Sequence, residues 1–222
     1  MKGTKKRMKY YNLSKNIIAC DNFLNTQNVD EIFTDFLNNR NRFNISNWDY
    51  SNKSEKKVAN VHKTMTSRCG GLDFWILWET AKNENSFISL LENWFFSDGF
   101  YFYIGKDNYS VFQFLLENIN RLFWNIHVVS YNNKGFYNWH KDKGSKNLFT
   151  FNLVLQKSKK LKGGNMLFMD QNKIIEVENK DNFMVVFPSF IPHAITPLYS
   201  KNNEDVSFLE QRFSIQFWVG LL

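Results

Sequence analysis

Two periodicities divide the chain near residue 125. Ahead of that point, three stretches repeat apolar residues at helical spacing: Val29, Ile32, Phe33, Phe36 and Leu37; Phe87, Leu90, Leu91, Trp94 and Phe95; Phe112, Leu115, Leu116, Ile119 and Phe123. Each set falls on one face of a 3.6-residue turn, so each predicts an amphipathic helix. Asn28 with Glu31, and Ser110 with Gln113, have the spacing of capping boxes. The first helix is expected to pack its stripe against a sheet.

Beyond residue 125 the pattern changes to short runs rich in Val, Ile, Phe and Tyr, at 126–131, 136–142, 148–155, 165–169, 173–177, 183–187, 193–198 and 211–219. These predict strands. Asn132-Asn133-Lys134-Gly135, Lys143-Gly144-Ser145 and Lys162-Gly163-Gly164 separate them, and such punctuation favours hairpin-like antiparallel connections over helical crossovers. Helices first and strands afterwards imply a mostly β (α+β) fold: a double-stranded β-helix, or jelly roll, with N-terminal helices packed on one sheet. We expect one domain over 1–222, with a basic flexible tail at 1–9, a mainly helical buttress at 10–125 and the jelly-roll core at 126–222. Two polar segments, 44–57 and 199–210, are expected to be surface loops, either decoration or active-site lids.

Composition narrows the class of protein. Hydrophobic residues make up 43% of the chain and aromatic residues 18%, enough apolar surface to offset chain entropy without disulfides or structural metals. Cys20 and Cys69 stand far apart with no CxxC spacing, which excludes a cysteine metal site and fits a reducing, cytoplasmic setting. No apolar run of secretory or membrane-spanning length is present, so no membrane association is expected. The net charge of +7 owes five charges to Lys2, Lys5, Lys6, Arg7 and Lys9 in the tail. A nucleic-acid partner is therefore disfavoured, though not excluded, because no basic stripe continues into the body.

Three places carry candidate chemistry. His140-Lys141-Asp142 ends a predicted strand, where residues i and i+2 share a side and an imidazole and a carboxylate converge on one ion. A fortuitous His-x-Asp turns up in roughly one such sequence in five, so the motif needs support. His193 lies in Phe187–Pro197, which holds all three prolines of the chain; this is either a rigid platform for a metal ligand or a plain turn with a buried histidine. Two imidazoles and one carboxylate on one face of an octahedron leave three positions open, which suits non-haem Fe(II) and oxygen. His62 and His127 have no partner at ligand spacing and are expected to be structural. Finally, Arg212, Ser214, Gln216 and Trp218 alternate with Phe213, Ile215, Phe217 and Val219. If its face is inward, Arg212 needs an anion and Ser214 adds a hydrogen bond; otherwise it is a surface arginine on a sheet edge.

The order of these features, His-x-Asp strand, Gly-Gly hairpin at Gly163-Gly164, proline-framed histidine and Arg-x-Ser strand, resembles the 2-oxoglutarate/Fe(II) dioxygenase superfamily, particularly its prolyl-4-hydroxylase-like branch. Ile18–Leu24 and the helix after it are similar to that branch's opening strand and helix. The resemblance implies that His140, Asp142 and His193 bind Fe(II). Arg212 and Ser214 would hold the distal carboxylate of the 2-oxoglutarate cosubstrate, with Tyr131 and Asn152 lining its pocket. Trp218 is expected to wall that pocket or pack in the core. The reaction implied is O2-dependent hydroxylation of a C–H bond in an amino-acid, peptidyl or other small substrate, releasing succinate and CO2. Asp142 argues against halogenating relatives, which carry a small residue there, and 199–210 looks like an insertion between His193 and Arg212. Two alternatives stand beside this reading. A nucleic-acid demethylase of the superfamily usually carries a second arginine after the clamp, and Phe213 to Leu222 has none. A metal-free β-sandwich binding module shares the shape without the chemistry.

Overall fold

The computed structural model describes residues 9–14, 16–46, 59–66, 122–142 and 147–221. From residue 122 onward the apolar alternation pairs into antiparallel ladders: β5 (Leu122–Tyr131), β6 (Phe136–His140), β7 (Asn147–Leu155), β8 (Leu161–Gly163), β9 (Met166–Asp170), β10 (Lys173–Val177), β11 (Phe183–Pro188), β12 (His193–Ile195), β13 (Leu198–Ser200) and β14 (Arg212–Leu221). They are preceded by β1 (Lys9–Asn12), β2 (Ile18–Asp21), α1 (Thr26–Asn38), β3 (Asn44–Ser46) and β4 (Ala59–Thr66).

One layer runs β1-β2-β11-β7-β14-β5-β4, and the order continues β6-β12-β9-β10 in the second. β4 joins them, pairing β5 through His62–Thr66 and β6 through Ala59 and Asn60. The layers meet face to face: Phe187 of β11 touches Phe168 of β9 with ring centroids 4.9 Å apart, and the Asn152 amide of β7 reaches the Met166 sulfur of β9. Two facing antiparallel layers of this kind make the expected mostly β jelly roll.

The β14 alternation works as its sequence predicts. Its odd-numbered positions turn to the other face, where Phe213 touches Phe33 and Phe36 of α1 as well as Phe43 and Phe208. Its even-numbered positions face the space between the layers. Helix α1 begins earlier than the Asn28/Glu31 spacing implied, because Asn25 is the cap and its side chain accepts the Asn28 N–H at 2.9 Å. Leu37, expected on the buried stripe, is 51% exposed, since Val29, Ile32, Phe33 and Phe36 alone fill the contact.

Other boundaries shift for stated reasons. The strand expected over 136–142 ends at His140. The run 193–198 breaks at Thr196-Pro197 into β12 and β13, and Leu161–Gly163, expected as part of a turn, is a strand paired with β13. Of the segment 10–125, the described residues up to 66 supply strands as well as a helix: β2 joins β11, and β3 and β4 extend the sheet beyond β5. The helices expected around 87–95 and 110–123 lie outside the described residues, except that Leu122 and Phe123 belong to β5, paired with Leu221 and Gly220. Segment 47–57 also lies outside them.

Segment 199–210 is fastened rather than free. Asn132 exchanges two hydrogen bonds with the Val206 backbone, Asn133 Oδ1 accepts the Ser200 N–H at 3.1 Å, and a short 3-10 turn at Phe208–Glu210 closes it with a Ser207/Glu210 capping box. The stretch is thus tied to the β5–β6 turn.

Candidate active site

Three elements bring the metal-type donors together. His140 ends β6, His193 begins β12, and the two are direct cross-strand partners in an antiparallel pair. A bulge follows: Ile195 pairs with Tyr137, so β6 carries one residue more than β12 between the pairs. The extra residue rotates β6 so that Tyr137 and His140 both turn inward, their rings 4.1 Å apart. Asp142 lies beyond the strand, and its convergence with His140 therefore owes nothing to strand alternation. It is held by its own N–H, which donates to the Ser189 carbonyl at 3.0 Å.

The result is a tight cluster. His140 Nε2 is 3.6 Å from Asp142 Oδ1, His193 Nε2 is 3.6 Å from Asp142 Oδ2, and all three donor atoms lie within 4.8 Å of one another. Each imidazole is oriented by its far nitrogen. His140 Nδ1 is 2.8 Å from the Asn138 carbonyl and His193 Nδ1 3.0 Å from the Ile191 carbonyl, so each Nδ1–H donates there and leaves the Nε2 lone pair facing the cluster. His193 is 3% exposed, wedged against Phe187 and Phe168, and its Nε2 has no hydrogen-bond partner among the described residues. A buried acceptor without a donor is costly unless something else fills the space, and a cation does. Two neutral nitrogens and a carboxylate fit a divalent metal that keeps open positions.

Beside this cluster lies a buried cation. Arg212 is 0% exposed; its Nε donates to Asn179 Oδ1 at 3.1 Å and its Nη1 to Ser214 Oγ at 2.8 Å, while Nη2 finds no acceptor among the described residues. No carboxylate among the described residues pairs with it. Burial pushes the guanidinium down to about 10. Its carbon stands 4.8 Å over the Tyr131 ring, and the Tyr131 hydroxyl is also buried without a partner, its pKa raised to about 12 by burial against the weaker opposing pull of Arg212 and Ser214. Two unspent donors, one charged, in one dry pocket are complementary to a carboxylate.

The glycine pair makes this pocket possible. A Cβ on Gly163, at φ +83°, would lie 2.3 Å from the Pro197 carbonyl oxygen, and one on Gly164, at φ +73°, would lie 3.0 Å from Arg212 Cδ. Only glycine lets the β8–β9 connection pass so close to the arginine. Asn179 completes the support, donating to the Gly163 carbonyl while accepting from Arg212.

Of the residues predicted for the site, His140, Asp142, His193, Arg212, Ser214 and Tyr131 are thus gathered into two adjoining groups. Asn152 lies on the inner face of β7, buried, with Nδ2 on the Met166 sulfur at 3.3 Å and Oδ1 without a partner. It lines the cavity without touching either group through a hydrogen bond. Trp218, expected to wall the pocket or pack in the core, makes a directed contact instead: its indole N–H donates to Asp142 Oδ2 at 3.0 Å. Three contributors were missed. Thr150 donates to the same oxygen at 2.7 Å and could have been found, since it shares Asn152's strand parity. Ser189 and Asn179 act from loops, where no periodicity marks them.

Comparison with known proteins follows this geometry. The family model of the 2OG-Fe(II) oxygenase superfamily matches residues 126–220, the span that contains every residue of both groups. The chain carries a 2OG-Fe(II) oxygenase domain over residues 126–220. It is a dioxygenase enzyme whose cofactors are Fe(II), 2-oxoglutarate and O2. No curated protein matches the sequence. Among solved structures, a Pseudomonas putida prolyl-4-hydroxylase aligns at TM-score 0.55 and 14% identity over 93% of each chain. A Trichoplax adhaerens prolyl hydroxylase, in complex with a hypoxia inducible factor oxygen degradation domain peptide fragment, aligns at TM-score 0.59 and 16% identity over 93% of this chain and 84% of the other. OsALKBH1 aligns at TM-score 0.54 and 12% identity over 94% of this chain and 100% of the other. At these identities the likeness is one of fold. Among the described residues no helix is long and apolar enough to cross a membrane.

Proposed function

We propose that this oxygenase hydroxylates a C–H bond of an amino-acid or peptidyl substrate, with His140, Asp142 and His193 as the ligands of its Fe(II) and Arg212 as the anchor of 2-oxoglutarate. The observation that carries the reading is the Arg212 guanidinium, fully buried without a counter-ion among the described residues and with Nη2 unspent, on the face of β14 from which Trp218 reaches Asp142. Such a charge destabilises the protein unless an anion arrives.

In this mechanism the bound iron and 2-oxoglutarate supply the oxidising chemistry, with succinate and CO2 as by-products. The chain supplies position and environment. Arg212, with Ser214 against its Nη1, presents Nη2 to the distal carboxylate, and the Tyr131 hydroxyl donates beside it. Asn152 closes the floor with its amide. Apolar Phe187, Phe168 and Ile195 exclude water behind His193. His140 stays partly exposed, which leaves the approach to the cluster open to substrate on that side. The peptidyl substrate class is supported by the peptide complex of the Trichoplax neighbour, which shares this fold.

The test begins with succinate formation from 2-oxoglutarate under Fe(II) and O2, which His140→Ala should abolish; a variant with full succinate production would end the proposal. Peptide and amino-acid fractions are then searched by mass spectrometry for a product heavier by one oxygen. Turnover of methylated oligonucleotides instead, with binding that weakens steeply as salt rises, would move the substrate class to nucleic acid.

A further inference from the structure

Asp142 receives more attention from its neighbours than a ligand carboxylate requires. Two side chains from two strands of the opposite layer converge on one of its oxygens: Thr150 Oγ1 of β7 at 2.7 Å and Trp218 Nε1 of β14 at 3.0 Å, both on Oδ2. Thr150 and Trp218 are themselves cross-strand partners in the β7–β14 ladder, so the two donors reach across together. A carboxylate oxygen has two in-plane lone pairs, and two hydrogen bonds occupy them. Each oxygen stands 3.6 Å from one imidazole, Oδ1 from His140 Nε2 and Oδ2 from His193 Nε2, but only Oδ2 has both lone pairs taken by hydrogen bonds from the described residues.

A second hydroxyl fixes the direction of this network. Ser189 Oγ lies 3.0 Å from Thr150 Oγ1, and both are buried. Thr150 has one proton, which Asp142 takes, so Ser189 must donate to Thr150. The same Ser189 accepts the Asp142 N–H on its carbonyl and donates its own N–H to the Leu148 carbonyl, which pins the loop between β11 and β12 to the backbone of Asp142. Side chain and backbone of Asp142 are therefore held from one side by Thr150, Trp218 and Ser189.

We propose that Thr150 and Trp218 are positioning residues that keep Asp142 a one-oxygen ligand, by occupying Oδ2 and leaving Oδ1 alone to the metal. The functional consequence is a count. A carboxylate bound through both oxygens would fill a fourth position on the ion, where three protein ligands leave three positions for cosubstrate and oxygen. Thr150, Trp218 and Ser189 touch neither cosubstrate nor oxygen in this assignment; they act through Asp142. The inference rests on His140, Asp142 and His193 being the metal site.

The test uses Mn(II) as the probe, read by its dissociation constant and by water-proton relaxation, which scales with the number of metal-bound waters. Thr150→Val keeps volume and strand preference while removing the donor, and Trp218→Phe removes the other donor from a different strand. In both, the Mn(II) Kd should rise about tenfold or more, as loss of such outer partners does. The water count should fall by about a third as a second carboxylate oxygen displaces one of three waters. Thr150→Ser, which restores the hydroxyl, should restore both values, and metal-free melting temperatures exclude unfolding as the cause. If Thr150→Val does not fold, Trp218→Phe carries the test. Either quantity staying at its wild-type value in the folded variants overturns the proposal. Wild-type protein that binds Mn(II) no better than His140→Ala sinks instead the metal assignment beneath it.

Discussion

Replacing Arg212 by methionine tests the anion pocket most directly, because its effects on binding and on stability diverge. Burial lowers the guanidinium from 12.5 to about 10. A base with its folded pKa depressed destabilises the native state at all pH values below that pKa, and the penalty fades only as pH rises through about 10. At 1.36 kcal/mol per unit this is about 3 kcal/mol at neutral pH. Methionine removes the penalty but strands Asn179 Oδ1 and the Ser214 hydroxyl, whose lost partners cost about 1–3 kcal/mol. The two effects nearly cancel, so the ligand-free melting temperature should move little. Binding has no such compensation: a carboxylate that neutralises the buried charge recovers about those 3 kcal/mol, which is roughly a hundredfold in affinity. Calorimetric titration of 2-oxoglutarate into the Mn(II)-loaded protein, where no turnover occurs, should show that loss in Arg212→Met. Arg212→Lys should fall between the two, because an ammonium keeps charge without the planar fork. Unchanged affinity in Arg212→Met would refute the pocket assignment, and a collapse of ligand-free stability would refute the energetic reasoning.

Tyr131→Phe should weaken 2-oxoglutarate about three- to tenfold in the same titration, one neutral hydrogen bond's worth. Its phenol, pushed up to about 12, should add no phenolate absorbance in a spectroscopic titration up to pH 10.5. Gly163→Ala should destabilise by about 2 kcal/mol or more in chemical denaturation, since its Cβ meets the Pro197 carbonyl at a left-handed φ. Phe213→Ala, which empties the centre of the ring cluster against α1, should cost about 3–5 kcal/mol by the same measurement with 2-oxoglutarate affinity changed far less. Mn(II) at a hundred times its Kd should stabilise the wild-type protein by about 2.7 kcal/mol in a thermal shift, and His193→Ala should lose the shift.

The sequence by itself determined what depends on local periodicity and on the chemistry of side chains in order. Alternation placed Arg212, Ser214 and Trp218 opposite Phe213 and Phe217, and the structure keeps that division, with Phe213 in the rings of α1 and Arg212 in the cavity. The first helix and most strands after residue 125 were accessible in the same way; the donor set His140, Asp142 and His193 was accessible through the order of its motifs, while the alternation argument for His140 and Asp142 fails because Asp142 lies past the strand end. Tertiary structure decided how they meet. The bulge opposite His193 that turns His140 inward, the Ser189 carbonyl that holds Asp142 past the strand end, and the cap at Asn25 rather than Asn28 all depend on partners far away or on a competition between adjacent residues. Asn179 and Ser189 escaped because a neutral hydroxyl or amide in a loop has no meaning in a one-dimensional pattern until a charged group is folded against it, whereas Thr150 was within reach through the strand parity it shares with Asn152. Period and order belong to the chain, whereas hydrogen-bond direction and donor convergence arise only when separate strands are brought within about 3 Å of each other.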